Sequence, residues 1–291
     1  MKKNLFYVLI AMALTTVSCA KDGSDNISVA EKTVKIVASI ASQTRVPQLT
    51  DDGSGTFSEG DKMSLFVTDD EKNIFSVDYA YGSGLLTWGS LGFSESDVPV
   101  TLAACYPQQK EIKNGLFEFN TFTASDKDLL IAPVQSVKVG TSETVYLKFS
   151  HALHLLELTF VAGDNYTEDD LKSFSLTLKA KTTCVVDGNQ GKIKEVKDDI
   201  AEYSSDDTET SFYLVPQPTG DIILNIGIGS DKKTITLDKL LEQLGTPQSD
   251  LEGGKRCKLT LKVSKEGITV EDGSINGWGD QVTADGEVVI G

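Results

Sequence analysis

The sixteen residues VYLKFSHALHLLELTF, 145–160, decide how this chain is read. They read as one long β-strand that opens a new unit after the turn-like stretch Val139-Gly140-Thr141-Ser142. Working outward, the same two-residue period recurs on both sides. Val34, Ile36, Ala38 and Ile40 alternate with Lys35, Ser39 and Ala41, and Leu259, Leu261 and Val263 alternate with Thr260 and Lys262. Successive side chains of a strand point to opposite faces, so this pattern marks strands with one buried face. Asn-Gly and Asp-Gly pairs punctuate the runs, as in EIKNGLFEF around 114–115 and CVVDGNQGKI around 187–188. Asn and Asp tolerate positive φ and Gly takes it freely, so such pairs close tight hairpins.

Helix is scarce. Leu237, Leu240, Leu241 and Leu244 share one helical face, and Gly245 ends it. Thr167 to Leu171 has the form of a single capped turn. The acidic, polar stretches 164–172 and 198–210 read as loops. Short strands at this spacing predict an all-β chain of sandwich type rather than α/β. The expected division is 31–140 for a first β-sandwich and 141–291 for a second.

The amino end carries an export signature. Lys2 and Lys3 precede ten apolar residues, 5–14, too few to span a bilayer and the right length for the core of a secretion signal. Small residues then lead to Cys19, an arrangement that resembles the lipobox of bacterial lipoproteins, although Thr16 stands where that motif usually has leucine. The reading is a signal peptide over 1–18, lipidation of Cys19 and a polar tether over 19–30. Acyl chains contribute about 0.8 kcal/mol per buried methylene, so several of them would anchor the domain firmly, and no other stretch approaches membrane-spanning length. The roughly 270 residues that remain suit two domains of about 100–150 residues. The acidic character of residues 20–30 resembles signals that send lipoproteins to the outer face of a Gram-negative outer membrane, reached through the Sec and lipoprotein pathway.

The formal net charge is −16. So acidic a surface repels nucleic acid and anionic lipid, which excludes nucleic-acid binding. Cys105, Cys184 and Cys257 remain after lipidation, an odd number on strand-like stretches. They read as small buried hydrophobes, with one disulfide and a spare thiol as the alternative.

Chemistry-bearing motifs are few. His151 and His154 are three apart, so in a regular strand they point to opposite faces and cannot share a metal. They read as structural histidines. The sequence has no dinucleotide-binding glycine loop, nucleophile elbow or Ca²⁺ loop. Its carboxylates fall mostly in turns. The expectation is a protein without catalytic residues, metal or cofactor. Tyr79, Tyr81 and Trp88, near glycine turns, are candidates for a ligand platform that stacks on a sugar, against a core role that suits them better.

Several local patterns, in order, resemble the fimbrillin family: type V pilins and related lipoproteins of gut and oral anaerobes. Phe57 to Phe66 (FSEGDKMSLF) is similar to an F-x-x-G-D-x-I-x-L-F opening strand, and Ala104-Cys105-Tyr106-Pro107 to the A-Y-Y-P that follows it. Asp128 to Ala132 (DLLIA) and Phe149 to Leu153 (FSHAL) resemble a D-L-L-x-A … F-x-H-A-L pair. Val215-Pro216-Gln217, Gly254-Lys255 and Ile275-x-x-Trp278 complete the order. Cys105 and Cys257 stand where such sequences more often have an aromatic residue.

The resemblance implies two tandem transthyretin-like (Greek-key) β-sandwiches and an assembly mechanism. A trypsin-like protease cuts after an arginine near the first strand, that strand leaves, and a strand from near another subunit's carboxyl end fills the groove. Arg45, one of only two arginines, follows the strand over 33–41, so the expected cut is between Arg45 and Val46. The groove-filling side chains would be Val34, Ile36, Ala38 and Ile40. The donor candidate is 279–291, with Val282, Val288 and Ile290 as its apolar residues. The expected role is a cell-surface fimbrial subunit or tip pilin serving adhesion, with other pilin subunits and the processing protease as partners. The alternative is a non-polymerising outer-membrane lipoprotein that binds glycan or a host protein.

Overall fold

The computed structural model describes residues 27–40, 55–84 and 86–278. The described residues are mostly β, with one short α-helix among them. In the first half, β1 (Ile36–Ile40), β2 (Lys62–Thr68), β3 (Ile74–Ala80), β4 (Pro99–Tyr106), β5 (Leu116–Asn120), β6 (Leu130–Lys138) and β7 (Val145–His151) follow one another. All except β5 join a six-stranded sheet of order β1-β7-β6-β4-β2-β3.

The second half runs through β8 (His154–Ala162), β9 (Phe174–Lys181), β10 (Thr183–Asp187), β11 (Lys192–Val196), β12 (Ile200–Ser205), β13 (Glu209–Leu214), β14 (Ile223–Ile228) and β15 (Asp231–Thr236). Helix α1 (Leu237–Gln243), β16 (Lys255–Val263) and β17 (Ile268–Gly277) complete it. Two four-stranded sheets, β12-β9-β14-β15 and β13-β8-β16-β17, face each other as a sandwich. Between them pack Leu158, Leu178, Leu224 and Leu259, with Leu237, Leu240 and Leu241 of α1 in the same core. The helix ends where its glycine stands, Gly245 having φ +77°.

The opening stretch 145–160 is not one strand. It breaks at Ala152-Leu153, and its two parts enter different sheets: β7 pairs with β1 and β6, whereas β8 pairs with β13 and β16. Alternation continues on each side of the break, and a two-residue interruption hardly disturbs it. The chain crosses between sheets again at Thr182, between β9 and β10. There the Gln217 amide stands in for a strand partner, its Oε1 accepting from Lys181 N–H at 2.8 Å and its Nε2 donating to Lys181 O at 3.2 Å.

A third sheet, β11-β10-β5, is built from both halves. Its Phe119, Cys184 and Val186 pack against Phe66, Ala103 and Ile131 on one face of the six-stranded sheet. The opposite face of that sheet buries Met63, Leu65, Leu102, Leu147 and Phe149. Asn114 and Gly115, at φ +51° and +74°, form the tight turn before β5. The acidic stretch 198–210, read as a loop, instead supplies β12 and the start of β13. β12 is an edge strand with alternating exposed and half-buried residues, so its polar composition suits its solvated side.

Candidate strand-exchange groove

β1 lies at the edge of the six-stranded sheet. It forms a parallel ladder with β7 in which Ile36 to Ile40 face Val145 to Phe149, five pairs in register. On its other side the described residues make a single bridge, Ser39 to Thr56. Of the four groove-filling residues, Val34, Ala38 and Ile40 are buried and Ile36 is half-buried. All four pack in the core beneath the sheet with Leu147 and Phe149. Val37 and Tyr146, register partners on the outer face, are 43 % and 64 % exposed.

Hydrogen bonds tie down the residues before β1. Val34 N–H donates to Leu86 O at 2.9 Å, and Lys32 O accepts from Trp88 N–H at 3.0 Å. Gly89 permits this approach, since a Cβ there would stand 2.8 Å from Ala30 O. The whole arm from 28 to 40 thus covers Trp88 and the apolar face of β7.

Cys19, Arg45, Val46, Val282, Val288 and Ile290 lie outside the described residues. Trp88 is fully buried, Tyr79 is 7 % exposed and Tyr81 is half-buried against the same core. These rings are therefore not an exposed platform: the apolar floor beneath β1 claims them. Arg256 sits in β16 between β8 and β17 and makes a two-point ion pair with Glu157, Nε to Oε2 at 2.5 Å and Nη2 to Oε1 at 2.8 Å. Cys105, Cys184 and Cys257 are free and buried. Burial pushes each thiol up to about 12, so they pack as small hydrophobes.

Both histidines are buried, and the break between β7 and β8 removes the opposite-faces argument. His154 Nδ1 donates to Glu252 O at 2.9 Å, which fixes its tautomer, and its Nε2 has no hydrogen-bond partner. Burial holds its pKa below the usual imidazole value. His151, the last residue of β7, bonds through Nδ1 to Asp128 Oδ2 at 2.9 Å. Its ring stacks on Trp278, centroids 3.7 Å apart and planes 10° from parallel. Three family-like motif positions, Asp128, His151 and Trp278, therefore meet at one point. Treating the motifs as separate markers missed this; their common ring and acid chemistry was the available signal. Among the described residues no group of three or more His, Cys, Asp or Glu is arranged to hold a metal. No helix there is long and apolar enough to cross a membrane.

A second feature is a groove of about 860 Å³ along the open edge of β5, lined by polar side chains such as Asn120, Asp126 and Lys197 and by apolar ones such as Leu116, Phe117 and Phe119.

A β-rich molecule of several sheets, with an apolar core sealed at one edge by a single-laddered strand, defines the structural class. The chain belongs to the fimbrillin-like family, whose profile matches residues 44–278. Three solved structures share the fold. A candidate cell adhesion protein of Bacteroides uniformis has 16% identity and a TM-score of 0.63 over 84% of this chain and 99% of its own. One of Bacteroides ovatus has 17% identity and a TM-score of 0.56 over 85% and 98%. A candidate adhesin of Bacteroides thetaiotaomicron has 11% identity and a TM-score of 0.51 over 84% and 96%. Comparison with curated proteins found no match.

Proposed function

We propose that this chain is a cell-surface fimbrial subunit or tip pilin serving adhesion. It is exported as a lipoprotein through Cys19, processed between Arg45 and Val46, and joined to its neighbours by strand exchange. The observation that carries the reading is β1, an edge strand with one full ladder and with Val34, Ala38 and Ile40 buried beneath it. Its departure would uncover an apolar trench beside an unpaired strand, a seat for a strand supplied in trans. Burying an aliphatic side chain contributes about 1.5–3 kcal/mol, so Val34 and Ile40 set the scale that a donor such as 279–291, through Val282, Val288 and Ile290, must match.

Selective processing has a physical basis. Arg256 is held in a central strand by Glu157, so of the two arginines this reading assigns the cut to Arg45. The similar structures from Bacteroides uniformis and Bacteroides ovatus are of candidate cell adhesion proteins, which supports an adhesive role. The reading takes the chain as two tandem transthyretin-like sandwiches. The separate core of the second half supports two units, and the pairing of β7 with β1 favours a division at 152–153 over one at 140.

The test is intact-mass and amino-terminal analysis of protein from the cell surface, with and without an arginine-specific protease. A new amino terminus at Val46 and ladders of oligomers are expected. Retained Cys19 in a protein that stays monomeric after protease treatment would overturn the reading in favour of an anchored lipoprotein that binds glycan or host protein. For that second reading the groove beside β5 replaces the buried aromatic rings as the surface to test.

A further inference from the structure

The arm that leads into β1 changes its backbone partner part-way. From Lys35 onward it follows β7: Val145 N–H donates to Lys35 O at 2.8 Å, and the five register pairs come next. Before Lys35 it runs antiparallel to residues 86–88, with a bridge between Thr33 and Thr87 flanked by the bonds that join Val34 to Leu86 and Lys32 to Trp88. Ahead of that lies a 3₁₀ turn, Val29–Glu31, closed by Glu31, whose Oε2 accepts from Ser28 N–H at 3.1 Å and from Ser28 Oγ at 2.8 Å.

Two glycines receive this turn. A Cβ on Gly89 would stand 2.8 Å from Ala30 O and 3.0 Å from Ala30 Cβ, and a Cβ on Gly140 would stand 3.2 Å from Val29 Cγ1. Val29 also packs against the core beneath β1. The alternation of Val34, Ile36, Ala38 and Ile40 does not set the register alone. A slip of one residue turns the apolar side chains outward, but a slip of two returns them to the buried face. A slip of two in either direction takes Val29 and Ala30 off their glycines, and in one direction it puts Glu31 and Lys32 in their places.

We infer that residues 86–89 and Gly140 form a register gate at the head of the groove. The partner that fits is a strand of another subunit with the pattern of the arm now seated there: four alternating apolar residues, preceded by an aliphatic residue and a small one where Val29 and Ala30 lie. That pair stands five and four residues ahead of the first of the four. A strand with the alternation alone fills the trench but finds more than one register in it. The inference rests on the strand-exchange reading and names the partner chemistry that reading needs.

Gly89→Ala in the full-length protein should lower the urea midpoint, because the added carbon meets Ala30. The loss should disappear in protein cleaved at Arg45 and separated from its arm in urea before refolding, with mass confirming that the arm has gone. Gly92→Ala is the control: at φ +86° with nothing within 4 Å of its Cβ, alanine there is penalised with or without the arm. A labelled synthetic peptide of residues 28–40 should bind the arm-free protein, and Ala30→Leu in the peptide or Gly89→Ala in the protein should weaken it by about tenfold or more, the cost of overfilling a closed contact. A peptide of residues 34–40 should not respond to Gly89→Ala. If the arm-free protein refolds only with a strand supplied, the yield of folded protein with each peptide, read by circular dichroism, replaces affinity. Equal performance of the native and Ala30→Leu peptides, or a Gly89→Ala midpoint unchanged in the intact chain, overturns the gate and leaves the strand-exchange reading standing. Selective binding of the native peptide, with surface protein that keeps Cys19 and stays monomeric, upholds the gate and counts against the polymer reading.

Discussion

β1 and β16 are both edges of the same problem, how a strand is kept in a sheet, and they solve it differently. β16 is paired on both sides, over eight residue pairs with β8 and nine with β17, and its Cys257, Leu259, Leu261 and Val263 fill the closed core of the second half. β1 has a ladder on one side only, over five residue pairs, and contributes Ala38 and Ile40 to a core that Met63, Leu65, Leu102, Leu147 and Phe149 of the neighbouring strands also fill. Removing β16 would dissolve its sandwich. Removing β1 would leave a core intact except along one trench. The contrast shows that an expendable strand is defined by its ladder and place in the sheet rather than by its apolarity, since both strands alternate equally well.

The contrast can be broken first at the largest side chains. Phe149→Ala, beneath β1, should cost about 3–5 kcal/mol in the intact chain, and Leu259→Ala in the second sandwich about 2–5 kcal/mol. Urea unfolding before and after cleavage at Arg45 separates them: the Phe149 penalty should shrink once β1 has gone, and the Leu259 penalty should not. Equal penalties in both states would mean that the two cores respond alike.

A smaller effect sharpens the same point. Ile40→Val should destabilise the intact chain by about 0.5–1.5 kcal/mol and leave the processed chain unaffected, because the altered residue departs with the strand. The same measurement on the two forms decides it.

The smallest effect lies between the two halves, at His154. Its pKa is held below the ordinary imidazole value of 6.5 in the folded chain, chiefly by burial. On acidification the unfolded chain therefore binds a proton that the folded chain refuses, so stability falls as pH drops through 6.5 and continues to fall toward the folded-state pKa. A pH series of unfolding free energies above the carboxylate range should show this slope in the native chain and lose it in His154→Leu.

Much of the fold was legible in the residues themselves. Alternation over 33–41 and 259–263 marked strands, which the structure places at Ile36–Ile40 and Lys255–Val263, Asn114-Gly115 marked a turn whose two positive φ angles suit that pair, and the leucines of α1 with Gly245 marked the one α-helix among the described residues. The break at Ala152-Leu153 was not legible, because alternation records which face is buried and carries no record of the sheet that buries it. For the same reason β12 passed for a loop: half of its environment is solvent, and its partner β9 lies some twenty residues away in sequence. Aromatic residues beside glycine turns looked like a surface platform, yet Trp88 fills the floor under β1, and only packing could show that.

The sequence by itself determined an acidic, β-rich chain with an export signature and an alternating early strand, because charge, apolar length and side-chain period are local properties. Only the tertiary structure decided that this strand stands at an edge, that it pairs with β7, and that Asp128, His151 and Trp278 meet. Those facts depend on pairings between distant segments, which form where the burial of whole sheets, rather than the preference of any one stretch, is best satisfied.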